Sequence, residues 1–236
     1  MSINAFINKL KIFCHNRKNH HSAAFTLAEV LITLGIIGIV AEMTIPVLMN
    51  NVQDQTFKVG WKKAFSELSQ VQQEIITDNG GVDFTNQCAD FDDKCLRGLF
   101  AAKMKTVKSC DDPITDGCQL TSTFMDGTVT STLTTGINLA WPAIITSSGY
   151  SVKFRSHYLD CHTGTLGIAY PTECGWMQVD VNGIKKPNKA GKDIFFVGIS
   201  KNKLVARGGQ GDTTVTTADC AVGGSGAGCS YVYLYK

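Results

Sequence analysis

The chain lacks the short motifs that mark common enzyme chemistry. It contains no Gly-x-Ser-x-Gly, no glycine-rich phosphate-binding loop and no His-Glu-x-x-His. Such motifs expose a nucleophilic serine, cradle a phosphate or hold a zinc ion, and nothing here takes their place. The sequence therefore predicts a protein that is not an enzyme and that needs no cofactor.

Charged residues are scarce, at 18% of 236 residues, whereas glycine is plentiful at 23. This balance is typical of an extracellular domain that is rich in strands and turns. Residues 1–24 hold four of the 22 basic residues and no acid, so the remainder has 18 basic residues against 20 acidic ones. No basic stripe is left outside this leader, and we expect no nucleic-acid partner.

No Cys-x-x-Cys pair occurs, although the chain has nine cysteines. Zinc is therefore a weak alternative, since outside residues 1–24 only His162 lies beside a cysteine. An even set of eight cysteines in an exported domain predicts disulfides, in any of 105 pairings. The close spacing makes four pairs between neighbours the simplest arrangement: Cys88 with Cys95, Cys110 with Cys118, Cys161 with Cys174, and Cys220 with Cys229.

Residues 25–49 form a long apolar segment that carries two acids, Glu29 and Glu42. Its uncharged run, Val30 to Ala41, is too short to span a bilayer alone, but the whole segment is long enough if the glutamates are tolerated. A secretory signal has small residues after its apolar core, whereas here Ser22 to Ala24 precede it. The basic leader predicts that residues 1–24 stay cytoplasmic and that residues 50–236 are exported.

The run Ala24-Phe25-Thr26-Leu27-Ala28-Glu29-Val30, followed by an apolar stretch with Gly35, Gly38 and Pro46, resembles the N-terminal signature of type IV pilins and of type II secretion pseudopilins. The resemblance covers about 30 of the 236 residues. It implies that a prepilin peptidase removes residues 1–24 by cutting between Ala24 and Phe25 and that the new N-terminus is methylated. It also implies that residues 25–49 anchor the subunit in the inner membrane before they pack into a filament. The family usually has glycine where this chain has Ala24.

Glu29 is the residue of this segment that most needs a partner, because a carboxylate in apolar surroundings is costly. The freed α-amino group of Phe25 would be largely cationic at neutral pH, so the N-terminus of a neighbouring subunit is the natural partner. The alternative is that Glu29 only reaches into the headgroups at the membrane boundary. For Gly35, Gly38 and Pro46 one interpretation is simple tolerance in a membrane helix together with close helix packing. The other, which the resemblance implies, is that the helix can loosen between Gly38 and Pro46 when subunits pack.

The helix is predicted to continue from the membrane segment to Thr77, because apolar residues from Trp61 to Ile75 recur at steps of three and four. A short helix capped by Asp92 or Asp93 follows. Strands are then predicted over residues 143–146, 150–156, 175–181, 194–200, 203–206 and 231–235. Together they predict a pilin-like, disulfide-stabilised α+β fold in which a long N-terminal helix packs on an antiparallel sheet. The Cys220–Cys229 loop also resembles the disulfide-bound loop near the C-terminus of many pilins.

Asp180, Asn182, Asn188 and Asp193 lie on one predicted loop and offer oxygen ligands of the kind that calcium prefers. Some pseudopilins hold calcium in such a loop. However, Asn182-Gly183 is by itself a type I′ hairpin signal, and four lysines in the stretch repel a cation. A structural turn is the favoured interpretation, and a calcium site is the alternative.

These features predict a non-enzymatic filament subunit of a type IV pilus or a type II secretion pseudopilus. Its expected partners are a prepilin peptidase and methylase, other pilin or pseudopilin subunits, and the inner membrane. The alternative is a single-pass, membrane-anchored extracytoplasmic binding domain that does not polymerise.

Overall fold

The computed structural model describes residues 26–129, 140–158, 160–161, 173–209 and 211–236. The chain divides into two compact units, Met1–Met49 and Asn50–Lys236. The described residues form three α-helices, one 3₁₀-helix and six strands. In chain order they are α1 Leu27–Asp78, α2 Asp93–Lys103, β1 Thr106–Cys110, β2 Ala143–Thr146, β3 Ser151–Ser156, β4 Glu173–Asp180, β5 Ile194–Ser200, β6 Leu204–Ala206, the 3₁₀-helix Thr217–Cys220 and α3 Cys229–Tyr235.

In the first unit, the described residues form the apolar part of α1. From Thr26 to Met49 every residue is exposed except the half-buried Ala41. The most apolar 18 residues of α1 have a mean hydropathy of 2.2, so by length and composition the helix can cross a membrane. Pro46 lies inside this helix. Because proline has no N–H, the carbonyl four residues earlier, that of Glu42, loses its helical partner.

The six strands form one antiparallel sheet whose spatial order follows the chain, from β1 to β6. Successive side chains along a strand point to opposite faces. On one face, residues such as Val152, Phe154, Met177 and Val197 belong to the main hydrophobic core. Their neighbours along the strands include the buried polar residues Lys153 and Gln178, which therefore lie on the other face.

The second unit's part of α1 packs on the apolar face of this sheet. Trp61, fully buried, stacks on Phe195 of β5 with ring centroids 4.8 Å apart. Its Nε1 donates a hydrogen bond of 2.9 Å to the carbonyl of Ser230 in α3. Leu68 and Ile75 continue the same stripe into the core. The predicted α+β, pilin-like fold, with a long N-terminal helix on an antiparallel sheet, is thus confirmed.

Two secondary-structure predictions differ from the structure. Residues 231–235 were predicted as a strand because aromatic and β-branched residues alternate there, but they belong to helix α3. The Cys220–Cys229 disulfide ties the start of this segment to the 3₁₀-helix, and the bond from Trp61 to Ser230 holds it against α1, so tertiary contacts override strand propensity. Strand β1 was not predicted, because three of its five residues are exposed and give no apolar pattern.

Four disulfides link cysteines that are neighbours along the chain: Cys88–Cys95, Cys110–Cys118, Cys161–Cys174 and Cys220–Cys229. These are the pairs that the spacing offered as the simplest arrangement. Cys88 lies in the loop before α2 and Cys95 in its first turn, which brings their Cα atoms to 5.7 Å. The side chain of Asp92 accepts a hydrogen bond from the backbone N–H of Cys95 and caps this helix, as predicted.

Candidate functional site

Glu29 lies in the first turn of α1 and bonds to the residue that precedes the helix. Its Oε2 accepts hydrogen bonds of 2.8 Å from both the backbone N–H and the hydroxyl of Thr26. The Thr26 Oγ1 in turn accepts from the N–H of Glu29 at 3.2 Å. This reciprocal pattern is a capping box, which satisfies helix-terminal N–H groups that have no partner within the helix. The Thr-x-x-Glu pattern of residues 26–29 is the sequence signal for this helix start.

The capping box leaves much of the Glu29 carboxylate uncommitted. Both described bonds go to Oε2, and Glu29 is exposed. A carboxylate has about four lone-pair sites on two oxygens, so it can accept further hydrogen bonds. Glu29 can therefore hold the start of α1 and still receive a cationic donor from outside the chain.

Gly35 and Gly38 are not required by packing within the described part of the chain. A Cβ atom added at either position would meet nothing within 4 Å. In a helix interior, glycine costs roughly 1 kcal/mol relative to alanine. Two glycines in an exposed apolar helix therefore have no explanation in the described contacts of the chain itself, and they leave a smooth strip where another helix can approach closely.

The loop between β4 and β5 holds the four residues that were considered for calcium. Asp193 is fully buried, and its carboxylate accepts the backbone N–H groups of Asn188 at 2.8 Å and Lys189 at 2.6 Å. In the orientation in which the side-chain amide nitrogen of Asn188 faces Lys185 and Asp180, it donates to the Lys185 carbonyl and to Asp180 Oδ2, both at 3.2 Å. The structure therefore brings Asp180, Asn188 and Asp193 together around the loop's own backbone.

The Asn182-Gly183 pair forms a turn of a different type from the predicted one. The N–H of Gly183 donates to the carbonyl of Asp180 at 3.3 Å, so Val181 and Asn182 are the central residues. A type I′ turn needs a positive φ at both central residues, and the φ of Asn182 is not positive. The connection from β4 to β5 is correspondingly long, from Val181 to Asp193, instead of a two-residue hairpin.

The donor set of this loop suits a structural turn better than a metal. Burial and the neighbouring Asp193 charge raise the pKa of Asp180 well above its usual range, which favours its protonated form. Calcium takes six to eight oxygen ligands and prefers charged ones. Among the described residues, no group of three or more histidines, cysteines or acids is placed to hold a metal. Calcium binding by Asp180, Asn182, Asn188 and Asp193 stays a prediction.

Removal of calcium by a chelator distinguishes a structural turn from a calcium site in this loop. If the loop is a structural turn, the melting temperature of the full chain in detergent should be the same with 1 mM calcium and with excess EGTA, because no folded-state ligand is lost. Differential scanning calorimetry would measure both transitions. A rise of several degrees with calcium that disappears in Asp193→Asn would instead establish the metal site.

The His157 and Cys161 region does not contain a free thiol in the described residues. Cys161 is bonded to Cys174. His157 is buried, and burial, with the nearby Arg155 and Arg207 charges, lowers its pKa to about 4. This histidine is therefore neutral at physiological pH and lies beside a disulfide.

The predicted cleavage site, Ala24 and Phe25, lies outside the described residues. A family model described as the prokaryotic N-terminal methylation motif matches residues 19–41 and so includes both. This motif is the signature of type IV pilins and pseudopilins. Searches of the curated proteins and of the solved structures found no match to the chain.

The matched residues include Glu29, Gly35 and Gly38 and stop five residues before Pro46. The chain thus combines a methylation motif, an exposed apolar helix and a pilin-like α+β unit. This combination is consistent with a membrane-anchored, single-pass protein that is processed as a pilin-like subunit.

Proposed function

We propose that this chain is a structural subunit of a type IV pilus or a type II secretion pseudopilus. A prepilin peptidase cuts between Ala24 and Phe25, and the helix then holds the subunit in the inner membrane until it enters a filament. The observation that carries the proposal is the methylation motif at residues 19–41, which leads into a helix whose apolar residues are exposed. An exposed apolar helix of this length needs lipid or other helices around it.

In the proposed filament, Glu29 accepts the methylated N-terminal ammonium of a neighbouring subunit. The pairing follows from electrostatics, since both charges would otherwise lie unpaired among apolar helices. The free lone pairs of the Glu29 carboxylate support it. Gly35 and Gly38 contribute by letting the helices approach, and Pro46 lets the helix change shape as it leaves the bilayer.

The N-terminus of the membrane-extracted protein tests the proposal. We expect mass spectrometry to find N-methylated phenylalanine, Phe25, as the first residue when the chain is made in a host with prepilin peptidase. A host without the peptidase should yield the intact leader. Ala24→Gly, which installs the residue usual in the family, is the matched variant and should be processed at least as completely.

An intact Met1 in both hosts would contradict the proposal. The chain would then be better described as a non-polymerising anchored domain whose sheet and loops bind a ligand outside the cytoplasm. Correct processing without any filament would contradict only the assembly step.

A further inference from the structure

The charges on the second-unit part of α1, Asn50 to Asp78, are sorted along the helix. The lysines, Lys58, Lys62 and Lys63, all come before residue 64. The acids Glu67, Glu74 and Asp78 all come after it, and Asp54 is the one exception. Sorting of this kind is not needed for helix stability, because stabilising pairs on a helix are only three or four residues apart.

The sorted charges also lie on different sides of the helix. At 3.6 residues per turn, Lys58 and Lys62 share one flank of the exposed face, and Glu74 and Asp78 share the other. Between them, at the N-terminal end of this part of α1, lie Val52 and Val59, which are 57% and 66% exposed. We call these the basic flank (Lys58 and Lys62), the apolar strip (Val52 and Val59) and the acidic flank (Glu74 and Asp78).

The basic flank borders an open groove between α1 and α3. The groove has a volume of about 380 Å³, and its lining includes Gln55, Lys58, Lys62 and Tyr233. The Lys58 ammonium lies 4.5 Å from the centre of the Tyr233 ring. Within the described residues, Lys62 forms no hydrogen bond or ion pair, so its charge is available to a partner.

The acidic flank is partly used within the chain. Asp78 forms an ion pair with Lys103 of α2. Lys63 lies on this side, one helical turn before Glu67, and so offsets that residue's charge. Glu74 is exposed and forms no hydrogen bond or ion pair within the described residues, although its charge acts on the Lys103 ammonium, which pairs with Asp78. It is therefore the acid of this flank that is best placed for an external partner.

We propose that the basic flank of one copy of this chain binds the acidic flank of a second, parallel copy, with the apolar strip of the first copy beside the contact. The proposal rests on the proposed filament function. Lys58 and Glu74 are sixteen residues apart, as are Lys62 and Asp78. That separation corresponds to about 24 Å along the helix and to about 160° around it.

This geometry fits two parallel copies side by side, because such copies meet through opposite faces, which lie 180° apart. An axial offset of about 24 Å brings Lys58 level with Glu74 and Lys62 level with Asp78. After this contact the first copy keeps a free acidic flank and the second a free basic flank, so the contact is heterologous and can repeat along a filament without closing. An anionic lipid surface would also suit the lysines, but it would leave the position of the acids unexplained.

Reciprocal charge reversal tests the contact in the full chain, expressed with its peptidase and assembly machinery. Lys58→Glu and Glu74→Lys should each lower the yield of sheared filaments about tenfold, because a like-charge contact then recurs at every subunit. The double variant should recover to within about threefold of wild type, since the pair is restored with its charges exchanged. Lys105→Glu/Lys203→Glu, which changes two exposed lysines outside α1, is the matched control and should leave the yield unchanged.

Immunoblots of total protein and thermal melting of each full-length variant in detergent separate assembly from folding. Should Lys58→Glu lower the protein level, Lys62→Glu with Asp78→Lys provides the second pair at the same offset. A double variant that is no better than its single variants overturns the contact while leaving the filament function intact. If Lys58→Glu lowers the filament yield and Glu74→Lys does not, the proposed contact is overturned in favour of binding to an anionic lipid surface. Absence of filaments from the wild type, despite processing, overturns the assembly step of the proposed function and this inference with it.

Discussion

Glu29→Ala is expected to abolish incorporation into filaments while leaving a processed, membrane-inserted protein. The substitution removes the only acid in the first turn of α1. A neighbouring N-terminal ammonium would then enter the helical bundle without a counter-charge, and an unpaired charge in such surroundings costs several kcal/mol. A loss of this size at every subunit corresponds to at least a hundredfold fewer filaments. Shearing, electron microscopy and N-terminal mass spectrometry would measure the yield and the processing.

Glu42→Ala is the matched control, because Glu42 is the second acid of the same apolar segment. We expect it to assemble normally. Glu29→Gln distinguishes charge from capping, since an amide oxygen can still accept the hydrogen bonds from Thr26. It should fail like Glu29→Ala if the carboxylate pairs with an ammonium. Normal filaments from either Glu29 variant would refute the proposed role of this residue.

Trp61→Ala is expected to destabilise the second unit more than any other single substitution in α1. Trp61 is fully buried, stacks on Phe195 and contacts the edge of Phe65. Its removal leaves a large cavity and deletes the hydrogen bond to the Ser230 carbonyl, and such Trp-to-Ala changes cost about 3–5 kcal/mol. In a chain of this size that loss lowers the melting temperature by roughly 10 °C.

Trp61→Phe separates the two contributions of this residue. The smaller ring keeps the stacking partner, whereas the Nε1 donor to Ser230 is lost, so we expect a cost of about 1–2 kcal/mol. Thermal unfolding of the full chain in detergent, followed by far-ultraviolet circular dichroism, measures both variants without relying on tryptophan fluorescence. Equal melting temperatures for wild type and Trp61→Ala would show that the junction of α1, β5 and α3 does not stabilise the fold.

Much of this fold could be predicted from local sequence patterns. The spacing from Trp61 to Ile75 indicated which side of α1 is buried, and the runs that became β2 to β6 were recognisable from their apolar residues. The segment 231–235 could not be read correctly in this way. Its aromatic residues fit a strand or a helix equally well, and only the partners of Cys229 and Ser230 decide between them.

The residues of the candidate site could also be predicted in part from the sequence. Glu29 could be singled out because a carboxylate in an apolar run is unusual, and Asp180 and Asp193 because they flank a turn-rich stretch. The hydrogen bonds of Asp180 and Asp193 could not be inferred, since these depend on backbone positions fixed by β4 and β5. The sorted flanks of α1 became visible only when the buried stripe showed which faces of the helix stay exposed.

The pairing of the four disulfides has a consequence for how the domain would mature if it is exported as proposed. Each bridge joins a cysteine to the next one along the chain, across separations of 7 to 13 residues. A chain that emerges into an oxidising compartment from its N-terminal side can therefore close every bridge as soon as the second cysteine arrives. No bridge has to wait for a distant partner, and none encloses another. Oxidation can keep pace with translocation, and the domain needs little disulfide isomerisation to reach its native set of bonds.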